Sequence, residues 1–522
     1  MLRNFLTVGS ATLLSRLLGF IRDILMAAAI GIGPVADAFV VAFRFPNLFR
    51  RLFAEGAFNS AFIPLFAREL EGEDELAKRR AAAKQFAEEA LSGLLLILTG
   101  VCGACMVAMP LLMLGLAPGF IDDSAKFDLA VLLTRITMPY LVLVSLLALI
   151  SGVLNGLGRF AAAAFAPVML NVVLIGVLAA IVALDLTGSN DAGRFLAYGV
   201  LAGGVAQLLL VVLDVQRAGF VLKIRLPVWN HRMKRLVSLG IPGVIAGGIT
   251  QINIVVGTMI ASLQDGAVSL LYYADRLYQL PLGVVGIAIG VVLLPDLAKK
   301  LKSADQAGVE IAQSRSLEFS MLLTLPASIA LATIPVPLVT VLFERGAFSP
   351  EATLGTAAAL QAFAAGLPAF VLIKVFSPSF FAREDTKTPM KVGAVSVAIN
   401  IVTSLSLFPF FGHVGIAIAT SVAGWVNALL LYRVMVNRGY WRLKRNHLQS
   451  LVRMLAAAAA MGIILIVISG YLSSSFGPNS PLLEQTFALA ALVAAGLASF
   501  FLLAQLFGAV HLRDLRAMVA RS

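Results

Sequence analysis

The stretch AAAAFAPVMLNVVLIGVLAAIVAL, residues 161–184, contains no charged residue. A helix that crosses a bilayer needs about 20 mostly apolar residues, so this run is long enough to cross. Runs of the same kind recur from end to end. They lie near 5–30, 35–65, 86–113, 127–155, 161–184, 194–215 and 237–262, then near 268–296, 316–342, 354–381, 389–410, 413–433, 451–472 and 483–508. These fourteen segments predict an all-α integral membrane protein with 14 transmembrane helices. The second carries Pro46 in its interior, which predicts a kink.

Composition agrees with that class. The 522 residues are 60% hydrophobic and 13% charged, with a mean hydropathy of +0.93; a soluble domain carries about 25% charged residues. No stretch is polar enough for a separate soluble domain. The first apolar segment is too long for a cleavable signal and contains Arg16, Arg22 and Asp23. A net charge of +12 would point a soluble protein towards nucleic acid. Here the cations sit mostly in short loops, where they set topology, and no nucleic-acid partner is expected. With the N-terminus cytoplasmic, 29 of the 40 Lys and Arg fall on the inside. Three, Lys126, Arg194 and Arg345, fall outside, and eight lie within helices. That asymmetry predicts an even number of spans with both termini cytoplasmic.

An internal repeat organises the helices. Phe120, Pro139 and Asn171 recur as Phe348, Pro368 and Asn400, at offsets of 228, 229 and 229. A repeat of six helices preserves orientation in the membrane. It predicts two six-helix lobes, 1–216 and 217–437, in a pseudo-twofold arrangement with a site between them, and 438–522 as an added helix pair. Gly286 with Gly290 and Gly243 with Gly247 allow close helix contact and say nothing about substrate.

The chemistry resides in charges that fall inside spans: Arg16, Arg22, Arg44, Arg50, Arg51, Arg135, Arg276 and Lys374. Each costs at least ~2.5–3.5 kcal/mol at a bilayer centre, so each needs a partner or a wet cavity. The acids are fewer, chiefly Asp23, Asp37, Glu55 and Asp275. Arg16, Gly19 and Asp23 share one face of the first helix. Asp37, Arg44, Arg51 and Glu55 form one stripe of the second if its kink is mild, and Arg51 with Glu55 is an i, i+4 pair. The cationic surplus suits a phosphate or diphosphate, which planar guanidinium groups bind bidentately. Plainer readings stand beside this one. Arg50 and Arg51 can flank the inner end of a helix, Arg135 can snorkel, and Asp275 can simply neutralise Arg276.

Soluble-type catalysis finds little support. His231, His413, His447 and His511 lie in loops or at helix ends, and there is no G-x-x-x-x-G-K-[ST] loop. No His/Cys cluster has metal spacing. Cys102 and Cys105 form a nominal C-x-x-C inside an apolar helix, where packing explains them. No enzyme activity, cofactor or metal is expected.

Several motifs together resemble a known family. They are Ser15-Arg16-Leu17-Leu18-Gly19-Phe20-Ile21-Arg22-Asp23, Ala36-Asp37-Ala38-Phe39, and the run Pro46 to Phe58 containing Arg50-Arg51-Leu52-Phe53-Ala54-Glu55-Gly56. Tyr272-Tyr273-Ala274-Asp275-Arg276-Leu277 and Lys387-Thr388-Pro389 add to them. They resemble the MurJ (MviN) lipid II flippases of the MOP exporter superfamily, and the likeness in layout covers essentially the whole chain. The resemblance implies two six-helix lobes plus two C-terminal helices that form a groove for a lipid tail. It implies alternating-access export of lipid II, an undecaprenyl-diphosphate-linked peptidoglycan precursor, across a bacterial inner membrane. It implies that Arg16, Arg22, Asp37, Arg50 and Arg276 are essential cavity residues that bind substrate, and the charges beside them, Asp23, Arg44, Arg51, Glu55 and Asp275, are read as a supporting network. Two departures stand out. Gln279 occupies the place of a glutamate found in some relatives, and the seventh and eleventh helices lack the acids with which some relatives bind sodium. A sodium site is therefore not carried over, and the membrane potential is the expected driver. Contacts with cell-wall synthesis or division proteins are not readable from sequence. The alternatives are another exporter of the superfamily, such as an O-antigen-unit flippase or a drug antiporter, and, in a different class, a membrane lipid-phosphate enzyme or scaffold.

Overall fold

The computed structural model describes residues 2–50, 58–71, 76–303, 305–477 and 480–509. Among them every regular element is a helix. By packing, the chain divides into two compact units, Met1–Ser269 with Arg345–Phe348, and Leu270–Glu344 with Ser349–Ser522.

The first unit holds α1 (Leu2–Ile30), α2 (Pro34–Arg50), α3 (Phe58–Leu70), α4 (Leu76–Val107), α5 (Met109–Leu116), a 3-10 turn (Pro118–Asp122), α6 (Ser124–Thr137), α7 (Tyr140–Gly156), α8 (Ala161–Ala183), α9 (Asn190–Arg217) and α10 (His231–Ala261). It also contains the first residues of α11 (Ala267–Lys302). α8 packs between α1 and α9, α2 lies on α6, and α10 lies on α3. Close approach at α9 depends on glycine: a Cβ on Gly203 would stand 2.5 Å from Leu170, and one on Gly204 2.7 Å from the Tyr140 ring. Small residues at such crossings replace the hydrophobic drive that lipid removes.

The second unit continues α11 and adds α12 (Gln306–Thr333), α13 (Pro335–Phe343), α14 (Pro350–Phe381), α15 (Lys387–Phe411), α16 (His413–Asn437), α17 (Arg445–Tyr471) and α18 (Leu482–Leu506). α16 packs on α14 and α15, while α12 joins α14 to α17. Val375, Phe380, Met435, Met454, Leu492 and Phe500 are buried in one apolar core. The C-terminal pair α17–α18 is thus part of this unit through α12, whereas α10 packs with the first.

Among the described residues, ten helical segments are long and apolar enough to cross a membrane: α4, α6 with α7, α8, α9, α12 and α14 to α18. α1 is long enough, and the charges of Arg16, Arg22 and Asp23 set it apart from these ten.

Three expected continuous helices are corrected, while the span near 127–155 stands as one membrane-capable segment with a turn between α6 and α7. The segment near 86–113 is α4 and α5, and that near 316–342 is α12 and α13. A proline lies at each break, Pro110 second in α5, Pro139 just before α7 and Pro335 first in α13, where the missing N–H interrupts the backbone ladder. The span near 35–65 is divided between α2 and α3, with Arg51 and Glu55 outside the described residues. Pro46 itself lies inside α2.

Four of the six repeat anchors are buried polar or aromatic side chains. Phe120 and Phe348 are buried beyond α5 and α13, and Asn171 and Asn400 are buried on α8 and α15.

Candidate anion-binding site

Arg22 of α1 is anchored on α8. Arg22 Nη2 pairs with Asp23 Oδ1 at 2.7 Å, and Arg22 Nε donates to the same oxygen at 3.1 Å. Arg22 Nη1 donates to Asn171 Oδ1 at 3.0 Å. Asn171 Nδ2 donates in turn to the Ser15 carbonyl at 3.0 Å, and Gly19 lets the Asn171 amide approach α1. The Phe43 ring of α2 lies 6.0 Å from the guanidinium carbon. At least three of the five guanidinium N–H groups are therefore engaged, which fixes the plane of the group. Asp23 is buried; Arg16, two turns earlier on α1, is exposed. The predicted face through Arg16, Gly19 and Asp23 thus runs from an exposed cation to a buried carboxylate.

α2 places its charges at three levels. Arg44 Nη1 donates to Thr258 Oγ1 of α10 at 3.2 Å. Arg50 is half-buried in the last turn of α2. Asp37, in the first turn, is fully buried. Its Oδ2 accepts from the Gly266 N–H at 3.0 Å, and its Oδ1 accepts from the Ser269 N–H at 2.9 Å and the Ser269 hydroxyl at 2.7 Å. Lys126 Nζ, itself 1% exposed, pairs with Asp37 at 2.8 Å and with the exposed Asp265 at 3.0 Å. Asp37 therefore pairs with a lysine and accepts from the amides at the start of α11. Lys126, expected as a loop cation, is a buried partner.

In the second unit, Arg276 stacks on the Tyr272 ring at 4.6 Å. Asp275 accepts a hydrogen bond from the Gln279 amide one turn on. A glutamine can donate here where an ionised glutamate cannot. Lys374 of α14 runs over Gly286, where a Cβ would stand 3.0 Å from Lys374 Cδ. Arg135 instead donates to the Met106 carbonyl at 2.9 Å, satisfying the end of α4 at its break.

Sequence reasoning missed Asn171 and Lys126 as participants. An amide in an otherwise apolar helix was a signal for the first. Nothing local distinguishes Lys126 from a loop lysine.

Residues 26–487 match the family model described as lipid II flippase MurJ. The chain belongs to the MurJ family. A relative from Rhizobium meliloti (strain 1021), described as a probable lipid II flippase MurJ, is 48% identical over 525 residues, covering 100% of this chain and 96% of its own length. The MurJ fold is seen directly in a solved lipid II flippase MurJ in an inward closed conformation, with a TM-score of 0.78 at 23% identity, covering 97% of this chain and 99% of that one. An inward-facing multidrug resistance MATE family transporter of the MOP superfamily is similar in fold, with a TM-score of 0.66 at 16% identity, covering 81% and 94%. The MurJ relatives are thus transporters by description, and the motifs around Arg16, Arg22 and Arg276 belong to a member of their family.

Proposed function

We infer that this chain is a lipid II flippase, moving the undecaprenyl-diphosphate-linked peptidoglycan precursor from the inner to the outer leaflet of the cytoplasmic membrane by alternating access. The observation that carries this reading is the family match across residues 26–487, joined by a relative that spans the whole chain. Arg16, Arg22, Arg50 and Arg276 bind the diphosphate. Arg22 is suited to it because Asp23 and Asn171 hold its plane. Asp37 acts through Lys126 and the start of α11. Arg44, Arg51, Glu55 and Asp275 tune the charge around these residues.

The fourteen spans follow if α1, α2 with α3, α10 and α11 also cross the membrane. The two lobes then correspond to 1–216 and 217–437, with 438–522 as the added pair and both termini in the cytoplasm. The test is depletion of the protein in its host with lipid II measured in each leaflet. Accumulation in the inner leaflet, reversed by the intact gene, is expected. Unchanged leaflet distribution with altered drug sensitivity would favour the antiporter reading instead.

A further inference from the structure

Two carboxylates of α4 take no part in the anion site. Glu88 is fully buried and Glu89 nearly so. Both hold the extended segment that joins α9 to α10. Glu88 Oε1 accepts from the Lys223 backbone N–H at 3.1 Å, and Glu88 Oε2 accepts from Arg225 Nε. One turn on, Ser92 Oγ accepts from the Arg225 backbone N–H at 2.9 Å. Glu89 Oε2 accepts from Asn230 Nδ2 at 2.8 Å, and Asn230 Oδ1 accepts from the Met233 N–H at 3.0 Å, which caps α10. At the other end, buried Phe220 meets the edge of Phe66 with ring centres 6.1 Å apart.

This pinning fixes a segment that displays apolar side chains. With the amides of Lys223 and Arg225 bound to α4, Ile224 is 70% exposed and Leu226 86%. Val228 and Trp229 are exposed beyond them. Pro227 lacks the N–H that a helix there would need. So much apolar surface on a short connector marks an interaction site. Exposed Lys223, Lys234 and Arg235 stand beside it. α9, one of the membrane-crossing segments, ends at Arg217, which puts the connector at the level of a bilayer surface.

We propose that residues 220–230 form an interfacial strap that binds the anionic surface of the membrane leaflet at this end of the first unit. Ile224, Leu226, Val228 and Trp229 enter the acyl boundary, where aromatic and aliphatic side chains are favoured. Lys223, Lys234 and Arg235 take the lipid phosphates. Glu88 and Glu89 hold the strap so that its apolar side faces lipid.

The full-length protein, reconstituted in phosphatidylcholine bilayers with or without phosphatidylglycerol, tests this through Trp229. Its signal is isolated by subtracting that of Trp229→Phe. Lipids brominated near the top of the acyl chain should quench Trp229, and phosphatidylglycerol should increase the quenching. The variants Lys223→Glu, Lys234→Glu and Arg235→Glu combined, or the same three changed to Gln, should lose the increase yet keep quenching in phosphatidylcholine. Quenching by aqueous iodide as complete in bilayers as in detergent would place the strap in water and overturn the proposal. Equal quenching with and without phosphatidylglycerol would also overturn it, because no anionic lipid would then be recognised.

Discussion

At the scale of single residues, Arg22 is the side chain whose surroundings explain most. Asp23 and Asn171 grip it from two sides, so the plane of the guanidinium is fixed. Arg22→Ala should abolish rescue of a depleted strain at normal protein levels. Arg22→Lys should restore only part, since an ammonium lacks the planar fork. Asn171→Ala strands the Arg22 and Ser15 groups and should cost about 1–3 kcal/mol, read as a lower melting temperature and reduced rescue. Full rescue by Arg22→Ala would remove it from the site. A different residue governs acid behaviour. Hydrogen bonds from Thr388, together with the Arg438 guanidinium at 2.5 Å, hold the Asp385 carboxyl down from its ordinary 3.8 to about 2. Because this value is lowered on folding, the stabilisation is present above 3.8 and is lost as pH falls towards about 2. Melting temperature in detergent should fall through that window, and Asp385→Asn should flatten the fall. The same contact explains the Lys387-Thr388-Pro389 motif, because Thr388 meets Asp385 at the start of α15.

At the scale of elements, the start of α11 is the decisive case. Its first amides are orphans by geometry, and a carboxylate there is favoured by the helix dipole. Asp37 supplies it from α2, and Lys126 from α6 balances the charge. Lys126→Met should leave a buried carboxylate without its cation and cost about 3–5 kcal/mol. Adding Asp37→Asn should recover part of that loss. The check is thermal unfolding of the single and double variants in detergent. A parental melting temperature for Lys126→Met would show that the amides alone hold Asp37. Elements also show how context overrides a local rule. Pro139 lies in the turn between α6 and α7, yet its repeat partner Pro368 sits inside unbroken α14.

At the scale of the whole molecule, the charge asymmetry of the loops bears on topology. A reporter active only outside the cytoplasm, fused after the last residue, should be silent. Strong activity would overturn the orientation. The cationic surplus bears on energetics, since a charge crossing the full field is worth about 2.3 kcal/mol per 100 mV. An inside-negative potential draws such a surplus inward and would favour return of the empty carrier. Collapsing the potential in intact cells should stop export of lipid II, whereas removing sodium at constant potential should not. Export that survives the first treatment and fails under the second would reverse this account.

The sequence by itself determined the all-helical membrane class and most of the apolar segments, and its motifs pointed to the family. Apolar runs of spanning length survive any packing arrangement, because no other regular structure satisfies an isolated segment's backbone in lipid. Arg16, Arg22 and Arg276 stand out as site candidates for the same reason: charge within an apolar run has to be accounted for. Only the tertiary structure decided that Asp37 serves Lys126 and the start of α11, that Asn171 holds Arg22, and that Glu88 and Glu89 fasten the connector after α9. Those pairings join residues some 90 to 230 positions apart. No local pattern encodes them, since a hydrogen bond depends on where two chains meet in space, and spacing along one helix reveals only which residues share its face.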